Sequence, residues 1–467
     1  MRYSTYPSYK PSRVEWLGDV PSHWELKPLG YVTRFRGGAT PDKSKPEYWD
    51  GDIPWVSPKD MKRPLIEDSE DHVSAEALRN SPLCMIPPGA VLIVVRGMIL
   101  AHTFPVALTG GPVTINQDMK ALVVSQVLQP RFLFWALSGF ANALVALTDE
   151  SAHGTRKLET FTLSRFPILV PLSRDQEIIA DFLDRETAKL DTLVAKKRAL
   201  IEKLQEKRSA LISRTVTRGL PAQAAAKVGL DPHPKLKPSG IEWLGEMPEH
   251  WGIKRLRHVG DAIIGLTYEP GDVTDQDDGV LVLRASNVSQ GRIVLEDNVF
   301  VRKKIPAHLI TRVGDILICS RSGSRTLIGK NAKIDNESAG VTFGTFMTMF
   351  RSACNDYLFY VFNSTLFDYQ SGAFLTSTIN QLTVGNLYSF EVPMPPRAEQ
   401  SAIADYLDRE TAKIDRMVAK VEEAIERLQE YRSALITAAV TGKIDVRGAV
   451  REREASATGP DEVRVEA

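Results

Sequence analysis

The stretch LDRETAKLD, Leu183 to Asp191, sets Asp184, Glu186 and Asp191 beside Arg185 and Lys189. Paired carboxylates of this kind are the raw material of general acid and base catalysis. Here they alternate with Arg185 and Lys189 on a helix surface, which reads as a solvated or partner-facing ion-pair face. The whole set returns as Asp408, Glu410 and Asp415 when IADFLDRETAKLD, from Ile179, is written again as IADYLDRETAKID from Ile403. Repetition of a complete surface argues for repeated docking and against a catalytic pair.

Other chemistry is thin. GSRTLIGKN at Gly323 approaches a phosphate loop, but its spacing is one residue too long and Asn331 stands where Ser or Thr would hold the metal. There is no GxGxxG after a strand, no HExxH, and no Asp/Asn/Ser-Pro-Pro-aromatic signature of an amino-methyltransferase; IPPG at Ile86 and MPPR at Met394 read as turns. Eight scattered histidines and the three cysteines Cys84, Cys319 and Cys354 offer neither a ligand spacing nor a disulfide framework. His23-Trp24 and His250-Trp251 read as aromatic packing clusters that anchor the start of each variable region. No catalytic residue and no metal ligand is assigned.

The elements that must carry these motifs come in two sets. QEIIADFLDRETAKLDTLVAKKRALIEKLQEKRSALISRTVTRG from Gln176 aligns without a gap on QSAIADYLDRETAKIDRMVAKVEEAIERLQEYRSALITAAVTGK from Gln400. A second match joins VEWLGDVPSHWELKPLGYV at Val14 to IEWLGEMPEHWGIKRLRHV at Ile241. The plan is a short motif, a variable region and a long helix, performed twice. Leu183, Leu190, Leu204 and Leu211, with Leu407, Ile414, Val421, Leu428 and Leu435 in the second copy, fall at seven-residue steps or multiples of them, the heptad stripe of a long amphipathic helix. The step missing from the first series is Lys197, where the second has Val421. About 40 residues give a helix of roughly 60 Å, which needs a partner surface, and its twin is the nearest one.

The boundaries expected are 1–170 for a first mixed domain with its docking motif at 14–32, and 171–219 for the first helix. A linker at 220–240, a second mixed domain at 241–394 and a second helix at 395–443 follow. The tail is 444–467, charged beyond Arg447 and expected to be disordered. The variable regions carry short β-rich runs such as AVLIVVRG at Ala90 and GDILICSRSG at Gly314, cut by Gly, Pro and Asp. The fold class expected is α+β: two mixed α/β domains separated by two long helices packed as an antiparallel coiled coil, with a pseudo-two-fold arrangement because two equivalent stripes can satisfy each other.

Composition agrees with several cores: 467 residues, 43% of them hydrophobic, correspond to roughly three units. Lys+Arg and Asp+Glu are equal at 58 each, so no global positive field announces a nucleic-acid binder. The first helix alone, Arg185 to Arg218, carries ten basic against four acidic residues. No apolar run is long enough to span a bilayer and the start MRYSTYPSYKPSRVEWLGD lacks a signal-peptide core, so a cytoplasmic protein is expected.

Taken together these residues resemble the specificity subunits of type I restriction-modification systems. The resemblance rests on IEWLGEMPEHW and its copy at Val14, FRGGATPDKSKPEYWDGDIPWVSPKDM from Phe35, PGAVLIVVRG, VGDILICSRSG, TINQDMKALVV from Thr114, the paired entries into the helices, and the endings TVTRGL and TGKIDVR. Two departures stand out: Gly89-Ala90 replaces the Gly-Asp kept at Gly314-Asp315, and Asp175-Gln176 replaces the Glu-Gln kept at Glu399-Gln400. The resemblance implies a non-catalytic scaffold whose two target recognition domains each read half of an asymmetric bipartite sequence in double-stranded DNA. It implies helices that set the spacing and bind two modification subunits, with restriction subunits completing the assembly. S-adenosylmethionine, ATP and Mg then belong to the partners, and no cofactor to this chain.

Within that reading the loops after VVRG and ICSRSG supply Arg96 and His102 in the first domain and Arg321, Ser322, Ser324 and Arg325 in the second as DNA-binding candidates. The later loops SAHGTRK and TSTINQ add Thr155, Arg156, Lys157, Thr378 and Asn380. Two other readings stay open on the residues alone: a stand-alone DNA endonuclease or methyltransferase with an unrecognised site, and a coiled-coil adaptor for other proteins.

Overall fold

The computed structural model describes residues 3–150, 154–241, 243–372 and 381–448. Two compact units emerge, one made of Met1–Lys196 with Glu423–Ala467 and the other of Lys197–Glu422. Each therefore contains one variable domain, the first half of the long helix that follows it, and the second half of the other long helix. The long helices are Ser173–Arg218 and Arg397–Val440.

In the first unit the apolar run at Ala90 becomes the strand Val91–Val94, buried on both faces. It sits third in a sheet ordered Thr33–Gly37, Met119–Val124, Val91–Val94, Val106–Thr109, Leu65–Ile66. The apolar helix Pro130–Gly139 packs with it into the unit's main core. A smaller sheet holds Ile53–Val56 between Thr114–Ile115 and Asp71–Val73.

The second unit repeats the scheme. Ile316–Cys319, again wholly buried, lies between Met347–Arg351 and Asn331–Lys333, with Asp261–Ile264 at the far edge. The registers correspond residue by residue, with Met119 opposite Val94 in one unit and Met347 opposite Cys319 in the other.

The first departure from the family pattern has a local explanation. Asp315 is buried and takes bidentate hydrogen bonds from Arg351, at 2.9 and 2.6 Å, and one from the Arg312 backbone N–H. At Ala90 the residue equivalent to Arg312 is Pro87, which has no N–H to satisfy, and the Thr109 hydroxyl bridges the turn, accepting from the Ala90 N–H at 2.9 Å and donating to the Pro87 carbonyl at 2.8 Å. A buried ion pair exchanged for smaller groups that keep the backbone satisfied is a substitution with little net cost.

The acidic phrase turns out to bind the molecule to itself. Asp184 accepts from Trp135 Nε1 at 2.6 Å and pairs with Arg131, so it fixes the helix Pro130–Gly139 to the first long helix. Its repeat, Asp408, accepts from the Tyr360 hydroxyl on the helix Asn355–Phe362 of the second unit. Burial, together with that acceptor, holds the Tyr360 hydroxyl far above the usual tyrosine range. Asp191 pairs with Arg432 at 2.9 Å within the first unit, and its repeat Asp415 pairs with Arg208 at 3.1 Å within the second. Arg208 and Arg432 are themselves equivalent positions of the repeat.

Within each unit the two half-helices run antiparallel. In the first, His23 meets Asp175 at 3.3 Å at the start of one helix, while Pro21 and Trp24 pack on Gly442 just past the end of the other. In the second, His250 meets Glu399 at 2.8 Å while Trp251 packs on Gly219. The second departure, Asp175 for Glu, thus keeps its partner at a longer reach. Gln176 is fully buried, its amide donating to the Val127 and Pro171 carbonyls and its oxygen accepting from the Gln129 N–H.

Of the heptad positions, Leu183, Leu407, Ile414 and Leu435 are buried, and Leu190, Leu204, Leu211, Val421 and Leu428 are half-buried. Lys197 and Val421 are alike half-buried. Val194, Ile212, Val216, Ile425 and Ile436 join the buried set.

Residues expected to be a linker are built into the second unit. Leu220 and Ala225 are buried, Ala222–Lys227 is helical, and Leu236–Pro238 pairs with Glu246–Pro248 as Tyr9–Pro11 pairs with Asp19–Pro21. The beginning of the expected tail is also in place, with Val446 buried and the Asp445 N–H bonded to Ser4; residues 449–467 lie outside the described residues.

Gly442 offers a test of the joint between motif and helix end. It has φ +70°, and an added Cβ would meet Pro21 at 2.4 Å. Gly442→Ala is expected to cost about 3 kcal/mol, from left-handed strain plus overpacking. Gly245→Ala, at φ +66° with nothing within 4 Å, is expected to cost about 1 kcal/mol. Unfolding midpoints in urea compare them, and equal losses would mean that the joint is not packed as described.

Candidate nucleic-acid interface

The two variable domains present the same backbone at the same place and different side chains on it. In the second unit the chain leaves Ile316–Cys319 with the Ser320 and Arg321 N–H groups both donating to the Phe346 carbonyl, at 3.0 and 3.1 Å. In the first, the Val95 and Arg96 N–H groups both donate to the Asp118 carbonyl, at 2.9 and 3.2 Å. Arg96 and Arg321, chosen from the sequence as members of similar loops, are structural equivalents.

Their surroundings differ. Arg321 lies over the Phe346 ring, 5.4 Å from its centroid, and Phe346 is 55% exposed. Both face a cleft of about 1200 Å³ that Tyr268, Arg284, Ser322 and Gln381 also line. Ser322 accepts from the Ser324 N–H at 3.1 Å, Ser324 shares a hydrogen bond with Thr326, and Arg325 opens the exposed turn Arg325–Leu327. The predicted quartet of the second domain is therefore one loop, of which Arg321 and Ser322 reach the cleft. Gln381 bridges to Arg321 across the backbone. Thr378 and Asn380 lie outside the described residues.

In the first unit Arg96 Nε stands 3.9 Å from the Asp118 carboxylate. The pairing of Arg96–Gly97 with Arg156–Lys157, and of these with Asp149–Glu150, gathers three predicted cations on one small sheet. The other two are paired as well, Arg156 with Glu150 at 3.4 Å and Lys157 with Glu159 at 2.6 Å. Thr155 adjoins this sheet, and His102 is exposed at the end of the turn Met98–Ala101, whose Met98 is 68% exposed.

Phe346, Tyr268, Arg284 and Gln381, and Gln117 with its partners Thr40 and Asp118, were not singled out from the sequence. TINQDM held the signal for Gln117 and Asp118, since a polar pair ending before a buried strand must face outward. Among the described residues no group of three or more His, Cys, Asp or Glu is placed to hold a metal ion, and no helix is long and apolar enough to cross a membrane.

Comparison with known proteins follows the same division. A model of the type I restriction modification DNA specificity domain matches residues 21–203 and again 248–427. The chain is 35% identical over 187 residues to the specificity subunit of the type I restriction enzyme EcoR124I/EcoR124II of Escherichia coli, covering 40% of this chain and 43% of that one. It is 24% identical over 291 residues to the MjaIX specificity subunit of Methanocaldococcus jannaschii, covering 62% and 63%. The chain thus spans less than half the length of the first of these relatives. A solved structure from work on complex assembly and conformational transition of the type I R-M system aligns with a TM-score of 0.61 at 16% identity, over 90% of this chain and 98% of that one; the likeness is one of fold.

Proposed function

We infer the function of this chain from its family: it belongs to the type I restriction-modification DNA specificity family, whose model it matches in both halves. The chain is the DNA-recognition subunit of a type I system and performs no catalysis itself. Each variable domain reads one half of a bipartite, asymmetric target in double-stranded DNA. The long helices set the gap between the half-sites and dock two modification subunits, and restriction subunits join the assembly in the cytoplasm. S-adenosylmethionine, ATP and Mg reside on those partners.

The observation that carries this reading is the equivalence of the loops at Arg96 and Arg321. One backbone geometry, occurring once per unit, bears an arginine beside a carboxylate in the first and an arginine on an aromatic ring in the second. Readers built alike and furnished differently suit two different half-sites, because base edges are discriminated by side-chain chemistry while the backbone sets the approach.

The test is a map of methylated adenines in cells that carry the matched modification subunits, with and without this gene. One asymmetric sequence with an unread gap is expected only when the gene is present. Absence of any sequence-specific methylation, or methyl transfer by this chain alone, overturns the reading.

A further inference from the structure

We propose that Arg321, held over Phe346, reads a guanine in the half-site addressed by the second unit, with Phe346 packing on the neighbouring base. The inference rests on the DNA-reading function above and assigns chemistry to one residue of it. Arginine can donate two parallel hydrogen bonds to the O6 and N7 edge of guanine, the commonest specific contact in the major groove. That use requires a guanidinium that is accessible, oriented and free of a competing carboxylate.

Arg321 meets all three requirements. It is exposed and lines the cleft with Phe346 and Gln381. Its orientation is set from two sides: its N–H is tied to the Phe346 carbonyl at 3.1 Å, and the guanidinium lies 5.4 Å from the same residue's ring centroid. Contact with an aromatic face restrains the guanidinium without consuming its hydrogen-bond donors. Among the described residues no carboxylate lies within ion-pair distance of it.

The comparison inside the molecule sharpens the assignment. At the equivalent place Arg96 has Asp118 at 3.9 Å, an acceptor that competes with a base edge for the same donors. The other arginine of the cleft, Arg284, is committed to Asp297, donating to its carboxylate at 2.9 Å and to its carbonyl. Arg321 is thus the cleft's available fork. Phe346 supplies an exposed apolar face beside it, fit for a thymine methyl or the flat of a pyrimidine.

The experiment uses the full chain assembled with its modification subunits, as wild type and as Arg321→Ala, Arg321→Lys and Phe346→Leu, with methylated adenines mapped across a genome. Arg321→Ala is expected to lower methylation of the target roughly ten- to a hundred-fold and to make one guanine position of one half-site degenerate. Arg321→Lys keeps the charge and loses the fork, so it should show the same degeneracy with non-specific DNA affinity retained. Phe346→Leu should lose less than Arg321→Ala and blur the same position or its neighbour. Co-purification with the modification subunits reports that each variant is folded.

A uniform loss with an unchanged recognition sequence would make Arg321 a phosphate contact and overturn the proposal. An unchanged sequence at unchanged level would overturn it equally. If the wild-type complex methylates no specific sequence, the family-level reading fails; if it does and Arg321→Lys preserves that sequence, only this assignment fails.

Discussion

Replacing residues 25–170 with the matching segment of another specificity subunit is expected to change one half of the methylated sequence and to leave the other half and the gap as they were. The cut falls before 25 because the strand Glu25–Pro28 pairs with Pro167–Val170 and the Leu29 N–H bonds to the Phe166 carbonyl, so a later cut divides a sheet. The exchange also carries obligations. Gln176, which stays behind, needs a carbonyl where Val127 now stands and an N–H in place of that of Gln129. Asp184 needs donors in place of Trp135 and Arg131. A segment that fails to supply them leaves the buried Gln176 amide unpaired, about 1–3 kcal/mol per group, while the exposed Asp184 turns to water; the urea midpoint should fall without altering the second half-site. Methylation mapping and urea unfolding of one chimera separate these effects. If both half-sites change, the two readers are not independent and the modular argument is wrong.

What could be read beforehand was whatever repeats with a period. Leu183, Leu407, Ile414 and Leu435 announce themselves because a seven-residue step admits little but a helix seam, and all four are buried. The acidic phrase was legible as an ion-pair face, yet its partners were not, since Asp184 meets Trp135 and Asp191 meets Arg432 only through tertiary folding. Leu236–Pro238 reads as linker in the sequence because a three-residue strand ending in proline has no alternation to detect. The site divides in the same way. Arg96, Arg156 and Lys157 could be named as cations near loops, but their gathering depends on pairing strands distant in sequence. Phe346 was missed because a phenylalanine within TFGTFMTMF reads as core, whereas the strand begins one residue later and leaves it 55% exposed.

Ile414→Asp and Leu190→Asp occupy the same position of the repeat and are expected to differ sharply in consequence. Ile414 is 4% exposed, so the new carboxylate would enter the packed interface within the second unit, next to Asp415. Arg208 and Arg292, already engaged with Asp415 at 3.1 and 3.9 Å, would have to serve two acids. Such a charge is desolvated and must share cations already engaged with Asp415, and the loss expected is about 3–5 kcal/mol. Leu190 is half-buried at the margin of the first unit's core. An aspartate there can turn toward water and forfeits mainly apolar burial, about 1–2 kcal/mol. Urea unfolding of the full chain at constant slope measures both, and co-purification with modification subunits should fail for Ile414→Asp while surviving Leu190→Asp. Equal losses would mean that the two copies of the phrase are packed alike. An unaffected Ile414→Asp protein would remove the heptad seam as the element that joins the half-helices. The expected inequality arises because the repeat conserves sequence phase, while burial is decided by what each half-helix meets in its own unit.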